Sequence, residues 1–451
     1  MQIITNANES VLTILKRFRK AGASYRLMKY CMEEEVEDGV LLFNLLTREM
    51  VLLNREEREG ILENRSMRER WFVVPEDTNE KELVDLVRWM SNARKKPLET
   101  ITRFSIFPTT DCNARCFYCF EKGCSRIHMS QETAQKVVGF VKTRSGGQKA
   151  HLAWFGGEPL FNQSAIDTIC QGLAQEGVEY YSTMVSNGYL FDEETVRKAV
   201  GSWDLKNVQI TLDGTEKVYN RSKAYIYQEG SPYQVVMGNI QRLLDASVSV
   251  IIRLNLDLHN AEDLLNLMDE LKDRFGGRKG LHVYGYYLFD AENPQAHLHS
   301  EEGWRKRQEA MGRLEEKIRS YGMDLNRRIS KHIQVDHCMA DCGFGVTILP
   351  TGNIGLCDHY PDSEFIGHLD RDGFDTKMVA SWQEKVEGAP DCGDCACYPS
   401  CIKLKKCTSS NICFERMKRE KIQKVRQQMR CEYKCWMNND AEDADQNPEI
   451  C

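Results

Sequence analysis

Three cysteines lie close together in the segment Cys112-Asn-Ala-Arg-Cys116-Phe-Tyr-Cys119. Their spacing is C-x3-C-x2-C, and three thiolates on one loop can hold three irons of a cubic 4Fe-4S cluster. The fourth iron then has no protein ligand and can bind a substrate or a cofactor. A structural zinc site normally takes four protein ligands, so this triplet has the wrong count for zinc. Three unrelated buried cysteines are the remaining alternative.

A second group of cysteines lies towards the end of the chain. Its main members are Cys338, Cys342, Cys357, Cys392, Cys395, Cys401, Cys407 and Cys413. The chain is long and shows no secretory signal, which argues against a disulfide scaffold. In a reducing cytoplasm, clustered cysteines bind metals or carry out chemistry, and we therefore expect a cytoplasmic metalloprotein. A zinc ribbon at Cys392 and Cys395 is the alternative for that pair.

Composition excludes several classes of protein. The chain has 451 residues and a net charge of −7, with acidic and basic residues mixed along it. This balance argues against binding of nucleic acid through bulk charge. No apolar run approaches the roughly 20 residues needed to cross a bilayer, so no membrane partner is expected. The length allows about three domains.

Predicted strands alternate with amphipathic helices between about residues 100 and 290. The strand candidates are Ile101–Phe107, His151–Phe155, Tyr180–Val185, Val208–Leu212, Val248–Leu256 and Leu281–Tyr287. About six β/α units in a row predict an α/β fold with a parallel sheet or partial barrel. Active sites of such folds lie at the carboxyl ends of the strands, and the cysteine triplet follows the first strand.

The first 95 residues form a predicted α+β module. A helix is expected from about Glu9 to Lys20, and Asp38-Gly39 predicts a hairpin between two extended segments. A second turn at residues 47–49 leads into a strand from Met50 to Leu53. The module is either a small winged-helix-like domain or a structural cap on the next domain.

The cysteine triplet and the segments after the next strands resemble the radical SAM superfamily. Its signature is C-x3-C-x2-C with an aromatic residue, here Tyr118, before the last cysteine. Gly156-Gly157-Glu158-Pro159 after the second strand is similar to the family's GGEP segment. The resemblance implies that the open iron chelates the amino and carboxylate groups of S-adenosylmethionine (SAM). The reduced cluster then cleaves SAM to a 5′-deoxyadenosyl radical.

The resemblance also implies roles for side chains around SAM. The residues concerned are Tyr118, Gly156, Gly157, Glu158, Ser186, Asn187, Arg221 and Lys223. Glu158 would accept hydrogen bonds from the methionine ammonium, and Ser186-Asn187 would contact the ribose. Many relatives have an arginine that meets the SAM carboxylate, and its counterpart by register is Lys223, with Arg221 close by. Arg253 and Asn255 lie near the end of the fifth strand, either at the same mouth or on an ordinary polar rim.

The C-terminal cysteines resemble a SPASM domain, which binds two auxiliary 4Fe-4S clusters. The resemblance assigns Cys338, Cys342, Cys357 and Cys407 to the first auxiliary cluster. It assigns Cys392, Cys395, Cys401 and Cys413 to the second. Five residues separate Cys401 from Cys407, where the family pattern has three. For this reason Cys397, Cys431 or Cys435 can replace a ligand, and Cys407 and Cys413 are the ones most open to replacement.

Together these features predict a partial (β/α)6 radical SAM barrel at 96–300. It would follow the module at 1–95 and precede a linker region at 301–337, a SPASM domain at 338–437 and a tail at 438–451.

Similar enzymes modify ribosomally made peptides, and an N-terminal domain binds the leader as an added strand. The predicted function is therefore a peptide maturase that forms a thioether or carbon–carbon cross-link. It would use three 4Fe-4S clusters, SAM and an external electron donor such as flavodoxin or ferredoxin. The alternatives are an anaerobic sulfatase-maturing enzyme that forms formylglycine and a non-catalytic iron–sulfur electron carrier.

Overall fold

The computed structural model describes most of the chain and divides it into two compact units. The described residues are 1–93, 98–119, 121–227, 229–288, 301–324, 329–330, 333, 338–359, 364–386, 390–407, 413 and 415–438. The first unit combines residues 1–96, 326–342 and 381–451, and the second combines 97–325 and 343–380. Residues 439–451 of the predicted tail, and part of the predicted linker region, lie outside the described residues. The predicted domain boundaries stay predictions.

An antiparallel sheet dominates the N-terminal part of the first unit. The elements are β1 (Gln2–Thr5), α1 (Glu9–Lys16), β2 (Tyr25–Leu27), β3 (Cys31–Val36), β4 (Gly39–Asn44), β5 (Met50–Leu53), α2 (Arg55–Glu59), α3 (Arg65–Glu69), β6 (Val73–Pro75) and α4 (Glu80–Asn92). The sheet has the order β1-β5-β4-β3, while β2 pairs with β6. The hairpin predicted at Asp38-Gly39 is confirmed, because Val36 pairs with Gly39. Gly39 has φ +146°, and a Cβ there would lie 2.2 Å from the Leu53 carbonyl oxygen.

The first helix is shorter than predicted. It ends at Lys16 rather than near Lys20, and the backbone N–H of Phe18 already bonds to the Leu15 carbonyl at 2.9 Å in a tighter turn. Val11 and Leu15 are buried, whereas Phe18 is exposed. The helix therefore ends where it no longer has an apolar face to bury.

Strands and helices alternate through the second unit, as predicted. The elements are β7 (Arg103–Ile106), α5 (Gln131–Ser145), β8 (Ala150–Trp154), α6 (Gln163–Gln175), β9 (Tyr180–Ser186), α7 (Glu193–Gly201), β10 (Leu205–Leu212), α8 (Glu216–Lys223), α9 (Pro232–Asp245), β11 (Ser249–Leu256), α10 (Ala261–Phe275), β12 (Leu281–Tyr287) and α11 (Glu301–Ser320). The six strands pair in parallel in their chain order. Their carboxyl ends therefore meet along one edge of the sheet. Among the described residues, no helix combines the length and apolarity needed to cross a membrane.

The rest of the chain contributes to both units. It contains α12 (Met339–Cys342), β13 (Gly345–Ile348), β14 (Asn353–Gly355), β15 (Gly367–His368), α13 (Thr376–Gln383), 3-10 turns at Pro390–Asp394 and Tyr398–Ser400, and α14 (Glu415–Met437). β13 and β14 pair as an antiparallel hairpin. It also extends the sheet of the second unit, because β13 pairs in parallel with β7. Val346 and Ile348 are buried there, so the hairpin covers an edge that would otherwise be open.

The C-terminal helix completes the core of the N-terminal sheet. Met429 and Tyr433 of α14 belong to the same apolar cluster as Met32, Leu41 and Phe43 of β3 and β4. On the same face, Arg430 forms an ion pair with Glu34. Residues 1–93 therefore do not bury their apolar surface alone and depend on α14.

Candidate active site

The cysteine triplet lies on the loop between β7 and α5. Its start is bonded to the segment after β8: the N–H of Gly157 donates to the Thr109 carbonyl at 3.2 Å, and the N–H of Glu158 donates to the Asp111 carbonyl at 2.9 Å. A Cβ at Gly156 would lie 2.4 Å from the Thr109 carbonyl oxygen, and one at Gly157 only 2.3 Å from that of Asp111. The two glycines thus allow the backbone to approach the cysteine loop.

Glu158 is fully buried at the carboxyl end of β8 and connects two strands. Its Oε1 accepts hydrogen bonds from the Ser186 hydroxyl at 2.9 Å and the Leu160 N–H at 3.2 Å. Its Oε2 accepts one from the Asn187 N–H at 2.8 Å. Burial raises the pKa of Glu158 to about 7, although these hydrogen bonds oppose the shift. The carboxyl group is therefore held in one orientation and titrates close to neutral pH.

Asn187 joins the end of β9 to the cysteine loop. Its Nδ2 donates to Asn113 Oδ1 at 2.6 Å and lies 3.7 Å from Cys112 Sγ. The N–H of Ala114 also donates to Cys112 Sγ, at 3.3 Å. Burial, followed by the nearby Glu158 carboxylate, raises the pKa of the Cys112 thiol to about 12. The first cysteine of the triplet is thus held by N–H donors before any metal is added.

A second buried network lies beside Cys116. The Tyr118 hydroxyl donates to Asp213 Oδ2 at 2.6 Å, and Lys223 Nζ donates to the Tyr118 hydroxyl at 2.7 Å. Lys223 Nζ also lies 3.3 Å from Asp213 Oδ2, and both side chains are under 5% exposed. Asn255 Nδ2 donates to Asp213 Oδ1 at 3.1 Å. Burial alone would lower the pKa of Lys223, but the Asp213 carboxylate raises it, so the ammonium stays charged.

Comparisons with known proteins agree with this geometry. Residues 106–286 match the sequence profile of the Radical SAM superfamily. Residues 106–286 are a radical SAM domain. The chain is also 28% identical over 116 residues to a "Probable GTP 3',8-cyclase" of Methanococcus maripaludis. That match covers 25% of this chain and only 38% of the relative.

Solved structures share the fold at low sequence identity. Native anSMEcpe with bound AdoMet has a TM-score of 0.55 and 13% identity, covering 75% of this chain and 98% of that chain. SuiB of Streptococcus suis bound to its precursor peptide SuiA has a TM-score of 0.49 and 12% identity, covering 84% of this chain and 94% of that chain. At 13% identity, the similarity to anSMEcpe shows a shared fold alone. The similarity to SuiB, with a TM-score of 0.49, is weaker and supports no conclusion about this protein.

The cysteine loop fits the cluster that the radical SAM domain implies. Such a domain holds a 4Fe-4S cluster and SAM, and three thiols on one loop leave one iron for SAM. Cys112 receives the two N–H contacts described above, which is the kind of hydrogen bonding that tunes iron–sulfur clusters. The Cys116 and Cys119 thiols have raised pKa values, caused first by burial. Metal binding would displace their protons.

The structure separates the two candidates for the SAM carboxylate of the radical SAM domain. Lys223 is buried beside Cys116, and its carbonyl accepts the N–H of Arg115 at 2.8 Å, inside the cysteine motif. Arg221, two residues earlier on α8, is exposed. Of the two, only Lys223 is placed next to the cysteine loop. Both assignments to SAM stay predictions.

Sequence reasoning missed two members of the site. Asp213 is not among the predicted site residues, yet it contacts Tyr118, Lys223 and Asn255. Asp213 directly follows β10, as Asn187 directly follows β9. A polar residue directly after a parallel strand is the sequence signal that could have identified Asp213. The other missed residue is Asn113, which lies inside the cysteine motif and accepts from Asn187.

The C-terminal cysteines are divided between the units. Cys357 belongs to the second unit, and the others belong to the first: Cys338, Cys342, Cys392, Cys395, Cys397, Cys401, Cys407, Cys413, Cys431 and Cys435. None of the described cysteines forms a disulfide. A hydrogen bond with Cys397 lowers the pKa of Cys395, and the charges of Lys418 and Lys421 act in the same direction. Lys421 Nζ lies 3.3 Å from Cys401 Sγ, so this segment can stabilise thiolates.

Proposed function

We propose that this protein is a radical SAM enzyme that modifies a ribosomally made precursor peptide, forming a thioether or carbon–carbon cross-link. The radical SAM domain supports the chemistry. The N-terminal sheet is the observation that favours a peptide as the substrate. In this sheet β3 is an edge strand, and among the described strands it pairs only with β4. An extended peptide can be added to such an edge through backbone hydrogen bonds.

The side chains at the edge of the parallel sheet have separate proposed tasks. Cys112, Cys116 and Cys119 hold the cluster, which together with SAM supplies the 5′-deoxyadenosyl radical. Glu158 accepts hydrogen bonds from the methionine ammonium with its remaining lone pairs. Ser186 acts as a positioning residue, because its hydroxyl already donates to Glu158. Asn187 contacts the ribose, and Gly156 and Gly157 hold the cysteine loop close to Glu158.

The C-terminal cysteines are proposed to hold two auxiliary 4Fe-4S clusters, as in a SPASM domain. The ligand sets are those assigned from the sequence: Cys338, Cys342, Cys357 and Cys407 for one, and Cys392, Cys395, Cys401 and Cys413 for the other. Eight ligands close both clusters and leave no open iron. Their task is electron transfer to or from the peptide, with flavodoxin or ferredoxin as the external donor. The thiolate-stabilising lysines beside Cys395 and Cys401 support this proposal.

The edge of β3 has backbone groups that can receive a leader segment. Residues that close a hairpin exchange backbone bonds with each other, and this pairing alternates along the strand. Val36 closes the hairpin with Gly39, so the backbone N–H and C=O of Glu35 and Glu33 point away from β4. The N–H of Cys31, two residues earlier, bonds to the Met28 carbonyl instead of β4. The Glu35 side chain is exposed.

A proline at position 35 tests this proposal without deleting the module. Removing residues 1–95 would expose the core shared with α14, so a truncated chain would test folding instead of binding. Glu35→Pro removes one outward N–H, and proline is tolerated on an edge strand at such a position. Glu35→Ala is the matched control, because it removes the charge and keeps the N–H. The probe is the leader of a short peptide encoded beside this protein's gene.

The expected result is weaker leader binding by Glu35→Pro alone, by roughly tenfold, since one backbone hydrogen bond and its neighbours are lost. Calorimetry measures it, and SAM cleavage without peptide should be unchanged in both variants. Equal leader affinity in all three proteins would leave residues 1–95 as a structural cap. Charged residues on an edge strand also protect it from unwanted pairing, which is the alternative role of Glu33, Glu34 and Glu35.

A sulfatase-maturing activity is the second candidate, because anSMEcpe shares the fold over 98% of its own length. One structure of that protein holds AdoMet and the Kp18Cys peptide. Incubation of reconstituted enzyme with a sulfatase-derived Cys or Ser peptide distinguishes the two. Aldehyde formation, detected by hydrazide labelling, would favour formylglycine formation. Loss of two hydrogens by the neighbouring precursor peptide, with no aldehyde, would favour a cross-link.

A further inference from the structure

One face of the parallel sheet in the second unit is polar. Side chains of adjacent parallel strands that share a register position point to the same face. Gly285 of β12 faces helix α11, because a Cβ there would lie 2.5 Å from Met311 Sδ. Tyr284 and Tyr286 are therefore on the opposite face. The Tyr284 hydroxyl donates to Gln209 Oε1 at 2.8 Å, which places β10 side chains on that same face.

This polar face carries positive charge and no carboxylate on its strands. Its members are Arg103, Ser105, His151, Ala153, Tyr181, Thr183, Val185, Asn207, Gln209, Thr211, Ser249, Ile251, Arg253, Asn255, His282, Tyr284 and Tyr286. Among these described positions there are two arginines and no aspartate or glutamate. Arg253 forms no ion pair within the part of the chain that the structure describes.

Arg253 is held in one orientation with its outer end available. Its Nε donates to Asn255 Oδ1 at 2.9 Å, and its guanidinium carbon lies 3.8 Å from the centre of the Tyr286 ring. Within the part of the chain that the structure describes, neither terminal nitrogen has a hydrogen-bond acceptor. A guanidinium fixed in this way offers a preformed pair of donors that matches a carboxylate.

The position of Arg253 ties it to the cysteine loop. Asn255, its hydrogen-bond partner, donates to Asp213, and Asp213 accepts from Tyr118 between Cys116 and Cys119. Arg253 is thus three hydrogen bonds from the cysteine motif along one continuous chain. A group bound by the free nitrogens would lie on the polar face near the carboxyl edge of the sheet, where the radical is formed.

We propose that Arg253 binds a carboxylate of the substrate, such as an aspartate or glutamate side chain in the core of the precursor peptide. The proposal rests on the proposed function, because it names the chemistry of the peptide segment at the same site. Asn255 and Tyr286 are positioning residues that hold the guanidinium. The carboxylate of SAM offers the same chemistry, so the test must separate the two sources.

The test uses full-length, anaerobically reconstituted protein with saturating SAM and two matched probes. These are N-acetyl-aspartate N-methylamide and N-acetyl-asparagine N-methylamide, which differ in charge and hardly in shape. Their dissociation constants are measured by ligand-observed NMR. The variants are Arg253→Gln, Arg253→Lys and Arg278→Gln. Arg278 is the control, since it pairs with the exposed Asp245 beside the first residues of β11, four residues before Arg253 on that strand.

Wild-type protein should bind the acidic probe roughly tenfold more tightly than the amide, because a charge-assisted pair of hydrogen bonds is lost in the amide. Arg253→Gln should abolish this preference, and Arg253→Lys should keep part of it, since lysine supplies charge without the fork. Arg278→Gln should keep all of it. A second readout is SAM affinity, which should be unchanged in every variant and also reports correct folding.

Two results would overturn the proposal. One is an equal affinity of wild-type protein for both probes. The other is a loss of SAM affinity in Arg253→Gln with the probe preference retained, which would assign Arg253 to the SAM carboxylate. Failure of the carboxylate site can be distinguished from failure of the proposed function. If the acidic probe binds through Arg253 but no peptide is modified, Arg253 is still a carboxylate-binding residue, and the proposed modification of a peptide is wrong.

Discussion

The two cysteine regions of this protein differ in how much of their surroundings is built from the chain itself. In the second unit, the loop from Asp111 to Cys119 is bonded to the segments after three strands through Glu158, Asn187 and Asp213. In the first unit, Cys392, Cys395 and Cys401 lie on or beside short 3-10 turns, with lysines of α14 nearby. The first region is preorganised by hydrogen bonds and packing, whereas the second has mainly lysine charges that stabilise its thiolates.

This difference suggests a division of labour. A cysteine loop that leaves one iron without a protein ligand holds its cluster with only three thiolates. The shape of such a loop is therefore fixed by hydrogen bonds within the protein. A site in which every iron is closed by cysteine can be ordered by the cluster as it binds. If the two regions have separate tasks, changes in one should alter chemistry, stability or pH dependence without the same effect from changes in the other.

The largest expected effect is the loss of SAM cleavage when the triplet is changed. Cys116→Ala should reduce 5′-deoxyadenosine formation to background, because the open iron is lost with the cluster. Changing both Cys392 and Cys395 to alanine should spare part of the cleavage while product formation stops. Chromatography of 5′-deoxyadenosine after reduction with dithionite measures both.

Iron analysis provides the control for those variants. Three clusters correspond to about twelve irons per chain, and either change should remove about four. Mössbauer spectra of the reconstituted proteins identify the cluster type. A wild-type count near four would remove the auxiliary clusters, and reductive SAM cleavage by Cys116→Ala would contradict the assignment of the triplet.

Breaking the buried ion pair should cost most in stability. Lys223→Met leaves the Asp213 carboxylate buried without a cation, and the loss of one partner of a buried pair costs about 3–5 kcal/mol. Urea unfolding of the metal-free protein measures the change. Lys217→Met, an exposed lysine on the same helix, is the control and should change stability by less than about 0.5 kcal/mol. Adding Asp213→Asn to Lys223→Met should recover part of the loss; no recovery would show that the pair is not the cause.

A smaller loss is expected from the contact between the C-terminal helix and the N-terminal sheet. Met429→Ala leaves a cavity in a fully buried cluster and should destabilise the first unit by about 2–5 kcal/mol. Hydrogen exchange of β3 and β4, followed by mass spectrometry, should report faster opening. Exchange of β8 and β9 in the second unit should not change. Unchanged exchange of β3 would contradict a shared core.

The smallest effect concerns pH. Burial raises the pKa of Glu158 to about 7, so its carboxylate form, which accepts hydrogen bonds from the SAM ammonium, dominates above that value and is lost as pH falls. SAM should bind roughly tenfold more weakly at pH 6 than at pH 8. Equilibrium dialysis measures the affinity, and Glu158→Gln should bind weakly at both values. A flat profile for the wild-type protein would count against Glu158 as the acceptor.

The sequence predicted the parts of the site that depend on local pattern. The six strands follow from apolar segments, and the cysteine loop follows from its spacing after the first strand, whereas Glu158 and Asn187 were implied by the resemblance to the radical SAM superfamily. The Tyr118–Asp213–Lys223 network could not be derived in this way, because it depends on how α8 returns across the end of β10. The same holds for α14 on the N-terminal sheet, whose partners lie almost 400 residues apart along the chain.

The position of β13 has a consequence for the synthesis of the protein. Its partner β7 is made first, and about 240 residues separate Ile106 from Gly345. At a translation rate of about 5–20 residues per second, β7 emerges roughly 10 to 50 seconds before β13 can pair with it. During this interval the nascent sheet carries an unpaired apolar edge, which is a template for aggregation. Expression yield should therefore depend on chaperones that act during translation, and slowing translation after β12 should lower the yield of folded protein.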